Sequence, residues 1–379
     1  MRIAIDARPF TRDIMGVGNF LKLTVLNMAY TDVSIEIYLL NPGKFHKSLD
    51  VVFPSNVKVI TCPLSRRFNV PNLLWYLLKV PTVLCGLNVD VFYSPTPSLP
   101  FFLPKRPIKV ITVHDVVGLE FVNTMALNNK ISSAIMYKRS INGADLIWTN
   151  SEYTKEGVER YFPNRKSRDT FVGCSIDTSY FRKIEISNDE ISKLKKKYSI
   201  SDKFILFVGS LEPRKNITFL LELMPKLYFE HGIQLLVVGA RGWKNSSIFE
   251  IVNNLDFPRQ STIFAGYVDI IELVKLYNIA NCFVSTSLNE GFGMPQLEAI
   301  FCGCPVVTAC NSAMIEVVQD YGSLVSGWDP EVWVDKIVEK VSLPKLQQEI
   351  TMLFKEKYRW ANIIGRLVTD IDKILRDGR

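Results

Sequence analysis

The stretch Asn289-Glu-Gly-Phe-Gly-Met-Pro-Gln-Leu-Glu298 constrains the fold of this chain more than any other. A short β-rich segment, Asn281–Ser287, runs into it. A helical pattern from Pro295 to Cys302 leaves it, closed by Gly303 and followed by the apolar strand Pro305–Thr308. Strand, glycine turn, proline-opened helix and second strand make one βαβ-like unit. Gly291 and Gly293 let the backbone turn sharply and approach a ligand. The helix start offers unpaired N–H groups and a positive dipole end to an anion. Two carboxylates, Glu290 and Glu298, stand eight residues apart around this turn. Acids beside a phosphate-friendly helix start suit a ligand that carries hydroxyls as well as phosphate, as a nucleotide sugar does.

Units of the same kind recur along the chain. Ile3-Ala-Ile5 opens a buried strand, the loop Arg8–Asn19 carries Gly16-Val-Gly18, and Phe20, Leu21, Val25, Leu26 and Met28 follow at helical spacing. The glycine pair before a helix is a phosphate-cradle candidate that lacks the full dinucleotide fingerprint. Strand-like runs at Ser34–Leu40, Val57–Thr61, Val89–Tyr93, Lys109–Val113 and Asp145–Thr149 are mostly separated by helical stretches, which predicts a parallel α/β sheet. His114-Asp115 lies just past the Lys109–Val113 strand, where ligands bind in open parallel sheets. A histidine satisfied by local backbone hydrogen bonds is an equal reading.

A polar, lysine-rich segment to about Lys203 marks a domain boundary, and a second βα series starts after it. Strand Phe204–Val208 leads through Gly209 to Arg214-Lys215, then to a helix from Ile217 that Asn216 is placed to cap. Two cations at a helix N-terminus oppose its dipole and lower stability unless an anion is bound, and a diphosphate would resolve the conflict. The restart predicts two Rossmann-like halves, an N-terminal domain over 1–178 and a C-terminal domain over 179–359.

Composition narrows the function classes. At 379 residues the chain is too long for one ordinary core. Its net charge of +7 includes no basic run of the kind that binds nucleic acid, and the Lys193–Lys197 cluster reads as a solvated helix face. Seven cysteines without a CxxC pair and three histidines assemble no structural zinc spacing, which predicts reduced thiols. The N-terminus lacks a signal-peptide core and no apolar run is long enough to span a bilayer, so a cytoplasmic protein is expected. Pro100-Phe-Phe-Leu-Pro-Lys-Arg106 places aromatics beside two cations. That pattern suits peripheral contact with the cytoplasmic face of an inner membrane, or a loop folded over the core.

Taken together, these motifs resemble the GT-B fold glycosyltransferases of family GT4, retaining enzymes that use nucleotide sugars. The similarity runs in order through Asp6 and Gly16-Val-Gly18, Val113-His114-Asp115, Asn150-Ser151, Gly209 to Asn216, Val238-Gly239, Gly266-Tyr267-Val268 and the Glu290–Glu298 block. The opening loop and Arg241-Gly-Trp243 look most like a mannosyltransferase-like branch that builds bacterial surface polysaccharide. Cys174 departs from the Asn-Gly that the family more often shows at the hinge.

The resemblance implies two Rossmann-like domains facing each other across a cleft, the N-terminal one on the acceptor side and the C-terminal one binding the nucleotide sugar, with a final helix near 360–379 returning to the N-terminal domain. It implies that Glu298 holds the ribose hydroxyls, that Arg214 and Lys215 hold the diphosphate, and that Glu290 with the amides of Phe292, Gly293 and Met294 holds the transferred sugar. Gly209 belongs to the same donor site, and the backbone at Tyr267 and Val268 faces the base. Gly16 and Gly18 let the N-terminal loop close over the phosphates, and His114 reaches the sugar. The implied reaction moves a hexosyl residue, mannose from GDP-mannose first, to a lipid-linked or oligosaccharide acceptor in O-antigen or capsule synthesis. UDP- or dTDP-sugar donors, a nucleotide-sugar 2-epimerase and a non-catalytic partner subunit are the alternatives. No cofactor or metal is expected. The one Asp-x-Asp, Asp370-Ile-Asp372, falls in a helical pattern where i and i+2 do not share a face.

Overall fold

Alternating βα periodicity produces two separate parallel sheets in a computed structural model, which describes residues 1–14, 16–63, 72–116, 136–165, 169–240, 246–342 and 350–378. The Arg241-Gly-Trp243 segment lies outside the described residues. The chain divides into two compact units, Met1–Cys174 with Glu356–Arg379, and Ser175–Lys355.

The first unit holds seven strands: β1 (Arg2–Asp6), β2 (Glu36–Asn41), β3 (Val57–Thr61), β4 (Val91–Ser94), β5 (Ile108–Val113), β6 (Leu146–Thr149) and β7 (Thr170–Val172). All pair in parallel, in the order β3-β2-β1-β4-β5-β6-β7. The apolar runs of the inner strands β1, β4, β5 and β6 are buried, as in a sheet covered by helices on both faces, while the edge strand β3 is exposed at Val59. Helix Gly16–Thr31 packs against the final helix, Trp360–Asp377. That helix buries Trp360, Ile363, Ile364, Leu367 and Ile371 along one stripe, and the Trp360 ring meets Phe20 at 5.7 Å. Asp370 faces solvent on this helix.

The second unit holds β8 (Phe204–Val208), β9 (Gln234–Val238), β10 (Thr262–Gly266), β11 (Cys282–Ser285), β12 (Val306–Ala309) and β13 (Ser323–Val325). They are also parallel, in the order β10-β9-β8-β11-β12-β13. Its core gathers Leu220, Leu221, Leu223, Met224 and Leu227 of helix Ile217–His231 under Trp333 and Ile337. The lysine cluster is a solvated helix face, with Lys193, Lys195 and Lys197 paired to Asp189, Asp202 and Glu272. All seven cysteines are free.

One local expectation changes. Gly16 and Gly18 do not sit in a long loop. Arg8–Thr11 forms a 3₁₀ turn, and the helix already starts at Gly16. Helix Asn72–Leu87 buries one face only. Trp75 and Tyr76 are buried while Leu73, Leu74 and Leu78 are exposed. In the Pro100–Arg106 loop Phe102 is exposed, whereas Arg106 is paired with Asp90 at 2.9 Å and Arg139 lies over the Phe101 ring.

Candidate active site

The order of the second sheet reverses between β8 and β11, so a crevice opens beyond their carboxyl ends, where parallel sheets bind ligands. Gly209, Gly239 and Gly266 line up there. Gly209 N donates to Val238 O at 2.9 Å, and Gly239 N to Gly266 O at 2.8 Å. A Cβ on Gly239 would lie 2.0 Å from the Gly209 carbonyl oxygen, so only glycine lets the two strand ends meet.

Beyond Gly209 the chain makes one 3₁₀ turn, Pro213–Lys215, that presents Arg214 and Lys215. Asn216 follows in the left-handed conformation (φ 48°) and its side chain makes no capping hydrogen bond. Its expected capping role therefore fails, because that backbone points the side chain away from the first-turn amides. The turn is instead tied to the loop after β11. Thr286 Oγ1 donates to the carbonyls of Lys215 and Asn216, and Leu288 N donates to Arg214 O.

That tie carries Glu290 onto both cations. Lys215 Nζ donates to Glu290 Oε1 at 2.5 Å and Arg214 Nη1 to Oε2 at 2.7 Å. Ser287 Oγ adds a third bond at 2.7 Å, and Ser312 Oγ accepts from the Glu290 amide. Arg214 also donates to the Asn289 carbonyl and to Glu212 Oε1 at 2.9 Å. Burial alone would push the Glu290 carboxyl up, but Lys215 and Arg214 outweigh it and hold it at about 2. The sequence calls for an anion beside these two cations, and within the chain Glu290 is that anion. Ser287, Ser312 and Glu212 are new members of the site. Ser287 lies three residues from Glu290 and Glu212 two from Arg214, whereas Ser312 is 22 residues from Glu290 and carries no local signal.

Glu298 lies on helix Met294–Phe301, entered through Gly293 at φ 98° with Pro295 in the first turn. Tyr277 Oη donates to Glu298 Oε2 at 2.9 Å. Burial pushes this carboxyl up to about 7, against the pull of the Tyr277 hydroxyl and of Lys215. One lysine therefore acts on both glutamates, and the two acids differ widely in proton affinity although they share a turn. The helix's first N–H groups, beside Phe292 and Gly293, have no intrahelical acceptor and can meet an anion. Val268 is buried and Tyr267 exposed at the end of β10.

His114, Gly16 and Gly18 belong to the first unit. His114 Nδ1 accepts from Asn150 Nδ2 at 3.0 Å, so the ring proton sits on Nε2, which donates to Pro95 O at 2.8 Å. Burial holds the imidazole below its ordinary range, and Phe20 packs edge-on against it at 5.0 Å. Both ring nitrogens are used, but by a distant backbone carbonyl and a distant side chain and not by the local backbone hydrogen bonds of the alternative reading. Among the described residues no group of three or more His, Cys, Asp or Glu is placed to hold a metal ion, and no helix is long and apolar enough to cross a membrane.

Comparison with known proteins adds to this geometry. Residues 190–352 match the family described as glycosyl transferases group 1. The chain is 33% identical over 347 residues to the O-antigen chain mannosyltransferase B of Escherichia coli, covering 85% of this chain and 86% of that protein. Sucrose-phosphate synthase from Thermosynechococcus elongatus superposes with a TM-score of 0.72 at 15% identity, over 99% of both chains. Anabaena Alr3699/HepE, solved in complex with UDP and glucose, superposes with a TM-score of 0.66 at 17% identity over 98% of this chain and 99% of its own.

Proposed function

Because this chain belongs to the group 1 glycosyltransferases, with two Rossmann-like domains of the GT-B fold, we propose that it transfers mannose from GDP-mannose, with retention, to a lipid-linked or polysaccharide acceptor in O-antigen synthesis. The observation that carries this reading is the likeness along most of both chains to an O-antigen chain mannosyltransferase. The donor lies at the β8/β11 crevice. Arg214 and Lys215 take its diphosphate, with the start of helix Met294–Phe301 adding amide donors. Glu298 takes the ribose hydroxyls, Glu290 the sugar hydroxyls, and the turn at Tyr267 and Val268 the base.

As the bond from the anomeric carbon to the diphosphate oxygen breaks, its electron pair moves to the phosphate, where the cations stabilise the growing charge. The acceptor hydroxyl attacks from the same face and passes its proton to the departing phosphate. A retaining path through a carboxylate nucleophile needs a free carboxylate at the anomeric centre. Glu290, held by two cations and a serine hydroxyl, is poorly suited to that role. A covalent adduct trapped on Glu290 would refute the same-face path. The exposed Phe102 and the neighbouring Lys105 support peripheral contact with anionic lipid, checked by cosedimentation with vesicles.

The decisive measurement is a thermal-shift panel with GDP, UDP and dTDP. A ligand at 100 times its Kd adds about 2.7 kcal/mol of stability, and GDP is expected to give the largest shift. If all three fail, the donor site is misassigned. Incubation with donor alone separates transfer from 2-epimerisation, since only an epimerase changes the sugar without an acceptor.

A further inference from the structure

Gln296 is the third residue of helix Met294–Phe301, directly after Pro295, and is 1% exposed. A glutamine at that position often turns back to accept from the amide at its own helix's N-cap. Here the N-cap is Gly293, and Gln296 Oε1 lies 3.1 Å from where a Cβ on that glycine would stand. Yet this oxygen is shut off from solvent and finds no hydrogen-bond partner among the described residues. An orphan acceptor weakens a fold and calls for another reason for the amide to be there. The other end of the amide supplies one. Gln296 Nε2 donates at 3.1 Å to Ser285 Oγ, at the end of β11. Ser285 Oγ donates to Ser287 Oγ at 3.3 Å, and Ser287 Oγ to Glu290 Oε1 at 2.7 Å. The other acceptor within reach of the single Ser285 proton, Met314 Sδ at 3.8 Å, is farther and weaker. Gln296, Ser285, Ser287 and Glu290 are all buried, so water does not interrupt the chain.

We infer that Gln296 is a positioning residue for transfer: acting through Ser285 and Ser287, it fixes the Glu290 carboxylate in register with the helix start. The inference rests on the transfer reading, which gives Glu290 the sugar hydroxyls and the helix start the diphosphate. Each serine passes on one proton and the ionised carboxylate only accepts, so the amide sets the direction of both hydroxyls. Lys215 and Arg214 hold the same carboxylate from the other side, but a bound diphosphate draws on those two cations. Ser312 holds the Glu290 backbone amide and not its carboxylate. The serine chain is made of neutral hydroxyls and is a hold on Glu290 that the donor does not contest. Misplacing a substrate-positioning group by about 1 Å can cost roughly 100-fold in rate.

Turnover of GDP-mannose, with short mannose oligosaccharides as acceptor probes, is compared with GDP binding by calorimetry in Gln296→Leu, Ser285→Ala and the double variant. Each single change is expected to lower kcat by roughly tenfold. The Kd for GDP and the donor KM are expected to stay within about twofold, because Arg214 and Lys215 are untouched. The double variant is expected to lose no more than the more damaged single variant, as two links of one chain would. Ser285→Ala adds no bulk and decides the matter if Gln296→Leu fails to fold. An unchanged kcat, losses that multiply in the double variant, or a kcat loss matched by an equal loss of GDP affinity overturns the assignment. If the wild type itself does not turn over GDP-mannose, the transfer reading fails and the positioning role falls with it.

Discussion

Lys215 Nζ sits 2.5 Å from Glu290 Oε1 with the two side chains 11% and 9% exposed, so the cation suited to a diphosphate is already met by a carboxylate of its own chain. A bound diphosphate and Glu290 would compete for the same two cations. Glu290→Gln should therefore bind GDP several-fold more tightly by calorimetry while transfer falls by about 100-fold or more. Glu290→Ala should likewise keep nucleotide binding and lose transfer. Full transfer activity in either variant would overturn the role of Glu290.

Lys215→Ala is expected to weaken both GDP binding and the fold. Removing one partner of a buried pair typically costs about 3–5 kcal/mol, here lessened because Arg214 still holds Oε2. The Glu290 carboxyl is held at about 2, below its ordinary value, so its contribution is present above that ordinary value and is lost as pH falls toward 2. Acid titration of stability should show a smaller loss in that window for Lys215→Ala than for the wild type. An equal loss in both would count against the coupling.

Glu298 has the opposite sign. Its carboxyl is raised to about 7, so the unliganded protein loses stability as pH rises from the ordinary carboxyl value toward 7, where the unfolded chain ionises first. Ribose hydroxyls donate to the ionised form, so GDP affinity should increase as pH rises through 7. Glu298→Gln should flatten that added dependence and be more stable than the wild type at pH 8. A wild-type slope retained in Glu298→Gln would remove Glu298 from the ribose site.

Gly239→Ala should be severe, because the new methyl would meet the Gly209 carbonyl at 2.0 Å. Gly232→Ala is the control: it has positive φ but open space around it, and should cost only about 1 kcal/mol. Thermal midpoints that fall equally would show that backbone conformation, and not the strand-end contact, dominates.

Under the proposed donor pose, Arg214 and Lys215 stabilise the leaving diphosphate in the way a divalent ion otherwise would. Transfer is therefore expected to survive EDTA. Complete loss restored by magnesium would require a metal that these residues do not account for.

Local pattern makes much of this architecture legible. Buried strands read as apolar runs, such as Phe204–Val208 and Val306–Ala309, because a parallel sheet is covered on both faces. The Gly-Phe-Gly turn and Pro295 announce the start of helix Met294–Phe301, since positive φ and a missing N–H are tolerated only at such points. Asn216 misled for the same local reason. A good capping residue by type was placed in a left-handed backbone by contacts with Thr286, distant in sequence.

The sequence by itself determined the fold class, the family and which residue types crowd the two strand-end crevices, because periodicity and glycine placement act over a few residues. Only the tertiary structure decided who partners whom. Glu290 and Lys215 are 75 residues apart in sequence yet share one hydrogen bond. Their proximity follows from β8 and β11 lying side by side, a relation that no local spacing encodes. The same adjacency gives Glu290 and Glu298 opposite proton affinities, since burial and neighbouring charge, not residue type, set them.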